Sequence, residues 1–239
     1  MATAVIFYDG MNMNYRTRIK ICGLTRAEDV QAAVDAGADA LGFVFYPASP
    51  RALSAEAAAE LMAALPPFVQ TVGLFVNATP EQVAAAMAIA PVSLLQFHGD
   101  ESAAYCAAVA ERANRPFLRA FRVRPDTTAN DLLEYDTVMR TASRKFSALL
   151  LDTYVDSFGG SGKVFDWSLI PEKLAPRVVL SGGLSVQNAT DAVRRVRPWA
   201  VDVSSGVELA KGLKDHAKMR HFVQAVRMAD QEIGPSSNG

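Results

Sequence analysis

The chain has 239 residues, half of them hydrophobic, with 24 Lys and Arg against 25 Asp and Glu. That length suits one large α/β barrel as readily as two small domains, and the near-zero net charge excludes a bulk field that would recruit nucleic acid or an anionic membrane. No apolar run approaches the roughly 18 residues of a bilayer span, and two cysteines, Cys22 and Cys106, in a chain too large to need staples argue for free thiols in a reducing compartment.

The leader MATAVIFYDGMNMNYRT lacks the basic start, long apolar segment and small-residue cleavage site of a signal peptide, so a cytoplasmic protein is expected. Residues 1–17 read as an extension outside the fold, 18–230 as one barrel and 231–239 as a tail. Translation from Met13 is an expectation that the mass of the native protein would test.

From there one unit recurs: a β-branched run, a Gly, Ser or Asp punctuation, then an amphipathic or alanine-rich stretch. Eight strand-like runs are predicted, at 18–22, 40–45, 71–76, 93–97, 116–121, 147–152, 177–181 and 200–204. Runs this apolar, with little alternation, suit parallel strands covered on both faces. Helix starts are predicted at Thr25 with Glu28 and at Thr79-Pro80-Glu81-Gln82, both as capping boxes, with Ser54 and Ser185 as caps for two more. Eight βα units without a linker or composition break fit a closed (β/α)8 TIM barrel better than an open doubly wound sheet.

In such a barrel the active site lies where strands run into loops at their carboxyl ends. Those junctions supply Cys22-Gly23, Tyr46 through Arg51, Asn77, Gln96 through Gly99, Arg122, Asp152-Thr153, Ser181-Gly182-Gly183 and Asp202 through Gly206. LSGGLS and DVSSGVE, at the seventh and eighth junctions, combine glycines that let backbone amides approach an oxyanion with the place where barrels hold phosphate, so a phosphorylated ligand is expected. One such turn alone would be read as mere turn chemistry.

Cys22 ends its strand just before the helix expected near Thr25, whose positive dipole end favours thiolate. It reads as a nucleophile or a base, against the alternative of a small buried hydrophobe. Cys106 falls within a helix at core spacing and reads as packing. Asp152 ends LLLD, where apolar surroundings should hold its proton and make it an acid; capping, or pairing with Lys163, is the alternative. Arg51 stands where its fork could take a carboxylate bidentately, or it is a solvated surface arginine. The loop 153–167 is glycine-rich around Lys163, but Val164 replaces the Ser or Thr of a triphosphate-binding loop, so it reads as a flap. His98 has no second ligand at metal spacing, and no metal is expected.

Taken together, RIKICGLT, ADALGFVFYPASPR, LLQFHGDE, LLLDT, GGSGKVFDW, LSGGL and VDVSSGVE resemble the phosphoribosylanthranilate isomerase family of tryptophan biosynthesis. The match runs in order from about Arg18 to His216, and the KICG strand and GGSGK-FDW loop are specific to that family. The resemblance implies an Amadori rearrangement of N-(5-phosphoribosyl)anthranilate without cofactor, with Cys22 as general base and Asp152 as general acid. It places Arg51 on the anthranilate carboxylate, Gln96 and Asp202 on the sugar hydroxyls with His98 among the substrate-binding residues, and Gly182, Gly183, Ser204 and Ser205 on the phosphate.

Departures from the family pattern are the N-terminal extension and a longer region from Arg124 to Lys145. A cysteine at position 22 speaks against the broader substrate range of a related enzyme that uses two aspartates. An aldolase of the same fold would want a Schiff-base lysine on an interior strand position, and only Lys20 comes near. A non-catalytic barrel should have decayed at Cys22 or Asp152. Monomer and homodimer are equally compatible with the composition.

Overall fold

A computed structural model describes residues 16–153 and 164–233. Eight parallel strands close into a barrel in sequence order: β1 (Arg18–Cys22), β2 (Ala40–Val44), β3 (Gln70–Phe75), β4 (Leu94–Phe97), β5 (Phe117–Val123), β6 (Phe146–Thr153), β7 (Val178–Leu180) and β8 (Ala200–Val203). Closure is made by β1 against β8, where Ile19 stands opposite Val201 and Lys20 opposite Asp202. The TIM barrel expected from the sequence is therefore the fold, and each predicted strand lies within a few residues of an observed one.

Side chains alternate along each strand between the two faces. Inward, a dry layer of Val72, Leu94, Leu118, Ala120, Ala148, Leu150, Val179 and Ala200 fills the lower barrel. Outward, Ile19, Ile21, Leu41, Phe43, Phe75, Leu95 and Phe97 pack into the larger core beneath the helices. Burial on both faces is why these strands read as continuous apolar runs. Above the dry layer the inward positions turn polar: Lys20, Gln96, Ser181 and Asp202 are all buried.

The helices are α1 (Ala27–Ala36), α2 (Ala55–Ala63), α3 (Pro80–Ile89), α4 (Ala103–Ala113), α5 (Ala129–Ala142), α6 (Ala189–Val196) and α7 (His216–Ile233). The Thr79 capping box forms with Gln82, and Ser54 caps α2 through the Ala57 amide. Two expected caps do not form. α1 begins after Arg26 without a side-chain cap, because the Thr25 hydroxyl donates instead to the Gly212 carbonyl. α6 starts only after Asn188, and Ser185 serves it through its backbone carbonyl, which accepts from the Ala189 amide.

The sixth βα unit also departs from expectation. Among the described residues two short 3₁₀ turns, Trp167–Leu169 and Ala175–Arg177, stand between β6 and β7 in place of an α-helix. Pro171 and Pro176, which deprive a helix interior of backbone donors, explain the short turns. The longer region from Arg124 to Lys145 holds α5, capped by a second box at Thr128 and Asp131. After β8 a small antiparallel pair, β9 (Glu208–Ala210) with β10 (Leu213–Lys214), folds back toward the barrel mouth.

Thr17 is fully buried, and its amide and hydroxyl both donate to Asp230 at the far end of the chain, at 3.0 and 2.6 Å. The barrel thus includes Thr17 and extends to Ile233, slightly wider than the expected 18–230. Met13, the proposed flap around Lys163 and the terminal residues 234–239 lie outside the described residues. No helix among the described residues is long and apolar enough to cross a membrane.

Candidate active site

At the carboxyl end of the barrel a cavity of about 100 Å³ is lined by residues from seven strand ends, among them Cys22, Arg51, Gln96, His98, Asp152 and Asp202, together with Gly182, Gly183, Ser204 and Ser205. The ten residues singled out from the sequence therefore meet in one place. β7 and β8 separate β1 from β6 around the ring, so Cys22 and Asp152 face the cavity from different sides. Tyr46, Ser49, Leu74 and Leu184 line it as well. Among the described residues no group of three or more His, Cys, Asp or Glu converges in a way that could hold a metal ion.

Asp152 is held by two contacts. One carboxylate oxygen accepts from the Thr153 amide at 2.9 Å, and the other lies 3.0 Å from His98 Nε2. The expected greasy pocket is in fact this polar embrace, because LLLD alternates: Leu149 and Leu151 face the helices while Asp152 faces the mouth. On the far side of the imidazole, Gln96 Nε2 stands 2.9 Å from His98 Nδ1. With the amide donating, His98 carries its proton on Nε2 and donates it to Asp152. Gln96 Oε1 is buried and has no hydrogen-bond partner among the described residues. Turning the amide over would let Oε1 accept from a protonated Nδ1, the arrangement required when Asp152 itself holds a proton and donates to Nε2.

The loop that carries His98 is braced from outside the barrel. Arg119, an outward residue of β5 that the sequence reading passed over, donates to the carbonyls of Phe97 and Gly99 at 3.0 and 3.1 Å. Glu101 accepts from the amides of Asn77 and Gly99, both at 2.8 Å. Asn77 is thus a structural junction, and its carbonyl side chain accepts from the Asp100 amide. Arg122 pairs with Asp100 at the surface.

Cys22 is 5 % exposed, and burial pushes its thiol above the ordinary value, against the pull of Lys20 and Lys214 and with a further push from Asp202. α1 begins near Thr25 as expected, after Arg26, but the thiol still lies above its ordinary value, and the groups that oppose this are Lys20 and Lys214. One of them, Lys20, does occupy an interior strand position. Its ammonium is 2.8 Å from Asp202 and nearly solvent-free. Asp202, expected at the sugar, therefore reaches the cavity already engaged by a cation.

Arg51 is likewise not a surface residue. Its Nε and one Nη each donate to Glu208 at 2.7 Å, a bidentate buried pair, and Lys214 Nζ adds a third contact to Glu208 at 2.9 Å. The hydrogen bond to Glu208, outweighing the cost of burial, raises Arg51 above its usual range. Burial opposes charge on Glu208, but the two cations outweigh it and hold the carboxyl below its usual range. Glu208 and Lys214 were missed in the sequence, since β9 and β10 are too short to announce themselves by periodicity.

On the β7–β8 side, Gly182 and Gly183 adopt left-handed φ values of 77° and 69°. A Cβ on Gly182 would stand 2.4 Å from the Thr153 amide nitrogen, so only glycine fits the turn beside Asp152. The Ser204 hydroxyl donates to the Cys22 carbonyl at 3.0 Å, tying β8 to the end of β1.

Known proteins share this fold and sequence. The family described as N-(5'-phosphoribosyl)anthranilate (PRA) isomerase matches residues 19–225. An N-(5'-phosphoribosyl)anthranilate isomerase from Herminiimonas arsenicoxydans is 68 % identical over 221 residues, covering 92 % of this chain and 97 % of the relative. The crystal structure of phosphoribosyl anthranilate isomerase from Thermotoga maritima superposes with a TM-score of 0.78 at 42 % identity, covering 89 % of this chain and 99 % of that one. A further solved phosphoribosyl anthranilate isomerase, in complex with reduced 1-(o-carboxyphenylamino)-1-deoxyribulose 5-phosphate, matches with a TM-score of 0.73 at 38 % identity over 89 % of this chain and 99 % of that one. The matches span most of the chain, and the chain belongs to the N-(5'-phosphoribosyl)anthranilate isomerase family, as an isomerase.

Proposed function

We propose that the chain converts N-(5-phosphoribosyl)anthranilate into 1-(2-carboxyphenylamino)-1-deoxyribulose 5-phosphate, a step of tryptophan biosynthesis, with Cys22 and Asp152 moving the protons. The observation that carries the reading is the convergence of a carboxyl and a thiol on one cavity, beside two glycine- and serine-bearing turns. Family membership supplies the substrate class.

In this reading the phosphate rests on the backbone amides of Gly182, Gly183, Ser204 and Ser205. The Ser204 hydroxyl is already committed to the Cys22 carbonyl, so amides carry the load there. Gln96, His98 and Asp202 flank the ribose. Arg51 presents the edge of its guanidinium to the anthranilate carboxylate, preoriented by Glu208.

Asp152 protonates the ring oxygen while the C1–O bond breaks and the anthranilate nitrogen forms a Schiff base with C1. Cys22 then removes the proton on C2, and the resulting enolamine becomes the ketone. Asp152 begins this sequence protonated, and His98 with the turned Gln96 amide can accept its hydrogen bond in that state. Each such proton transfer contributes about 100- to 10,000-fold.

The test is direct. Anthranilate fluorescence should be lost when the purified chain meets its substrate. Cys22→Ala and Asp152→Asn should each lower turnover by at least about 100-fold while the product still binds in a titration. Near-normal turnover in either variant would remove that residue from the mechanism.

A further inference from the structure

Lys20 has no place in the scheme above, yet it is a buried cation on the strand that ends in Cys22. Residues two apart on a strand project from the same face, so Lys20 lies one layer beneath Cys22 inside the barrel. Both side chains bend toward the same spot on β2. A Cβ on Gly42 would fall 2.7 Å from Cys22 Sγ and 3.1 Å from Lys20 Nζ. The ammonium and the sulfur therefore stand within about 6 Å of each other, the range in which an opposite charge favours ionisation.

Two further features read as a built arrangement. Asp202, opposite Lys20 in the β1–β8 register, receives its ammonium at 2.8 Å and fixes where it sits. Gly42, opposite Cys22 in the β1–β2 register, leaves the space that both groups occupy, because any side chain there would collide with the sulfur.

We propose that Lys20 is a positioning residue for the rearrangement, a permanent ammonium held by Asp202 under Cys22 that favours its thiolate form. This rests on the reading of Cys22 as the base. Lys20 stays protonated throughout; the proton that leaves C2 ends on the sulfur, and the electron pair of that C–H bond neutralises the cationic Schiff base to give a neutral enolamine. Other charged groups around the thiol are Asp202 from β8, Lys214 from β10, Arg51 from the loop after β2, and Asp152 and His98 across the cavity. Of the two lysines that act on the thiol, Lys20 acts the more strongly, and Lys214 is largely occupied by Glu208. Burial pushes the thiol up and Asp202 adds to it, so removing Lys20 leaves Lys214, already engaged by Glu208, to oppose them.

The readout is the pH dependence of Cys22 alkylation by iodoacetamide in the full chain, resolved by peptide mass spectrometry so that Cys106 does not interfere. Lys20→Met should raise the midpoint by at least about one pH unit, a tenfold loss of reactivity below it. Its turnover number should fall with little change in KM, and Lys20→Arg should restore both. Because Lys20→Met strands Asp202, the same upward shift should persist in Lys20→Met/Asp202→Asn measured against Asp202→Asn alone. An unchanged midpoint in these folded variants overturns the proposal.

Should the lysine variants fail to fold, the unaltered chain decides. The Lys20 side-chain ¹³Cε signal should step at the pH where Cys22 titrates, and the step should vanish in Cys22→Ala; a flat signal overturns the proposal. Full turnover by Cys22→Ala would instead refute the reading of Cys22 as base, while leaving the thiol titration free to report on Lys20.

Discussion

Glu208 shows how much a single carboxylate organises at the mouth. Arg51 and Lys214 converge on it in a site where all three side chains are nearly solvent-free. Leaving one partner of such a cluster without the others costs more than the intact cluster contributes. Its acid response has a definite sign. A carboxyl held below its unfolded value of 4.5 contributes stability that is complete above that pH and is lost as pH falls through the lower folded value. Urea midpoints of the unaltered chain should therefore drop as pH falls below 4.5, and Glu208→Gln should flatten the drop in that window while lowering the midpoint at neutral pH. A slope unchanged by the substitution would show that the cluster does not set it. Arg51→Lys would keep the charge and lose the fork, so its KM for substrate should rise more than its turnover falls, as steady-state kinetics would read.

At the level of single elements, two threonines that look alike in sequence do different work. Thr79 accepts from the Gln82 amide while the Gln82 side chain accepts from the Thr79 amide, so Thr79→Ala removes a local cap and should cost about 1 kcal/mol. Thr25 carries the same sequence signature, but its hydroxyl reaches Gly212 across a sequence separation no local pattern reports. Thr25→Ala should instead loosen the β9–β10 pair from the end of β1, lowering amide protection at Gly212 and Lys214 in hydrogen exchange more than within α1. Equal loss in α1 would mean that Thr25 caps after all. The same distinction separates the strands, legible because burial on both faces leaves an apolar run, from β9 and β10, which are too short to carry any period.

The whole molecule is a ring, and a ring must be closed where its first and last elements meet. Here β1 pairs with β8, α7 lies against α1 and α6, and Asp230 on α7 takes both the amide and the hydroxyl of Thr17 just before β1. Replacing Asp230 by Ala would leave those buried donors unpaired, a loss of about 1–3 kcal/mol that equilibrium unfolding would measure. Arg227 donates to the Thr17 carbonyl as well, so the latch joins both chain ends of the barrel. A substitution that leaves the unfolding free energy unaltered would show that strand pairing alone closes the ring.

Much of this protein was written in its local pattern. Eight apolar runs separated by helical stretches called for one parallel sheet and favoured a closed barrel over an open one, because alternating units with no break bury their faces around a common sheet. The strand ends then marked the mouth, and Cys22, Asp152 and the Gly182-Gly183 turn were visible as chemistry at those ends. What no local pattern could carry was which charges meet. Lys20 finds Asp202 across the closure, Arg51 finds Glu208 across 157 residues, and His98 reaches Asp152 over 54. Charge acts through space and falls off with distance, so the state of each charged group at the mouth is decided only once folding has fixed its neighbours.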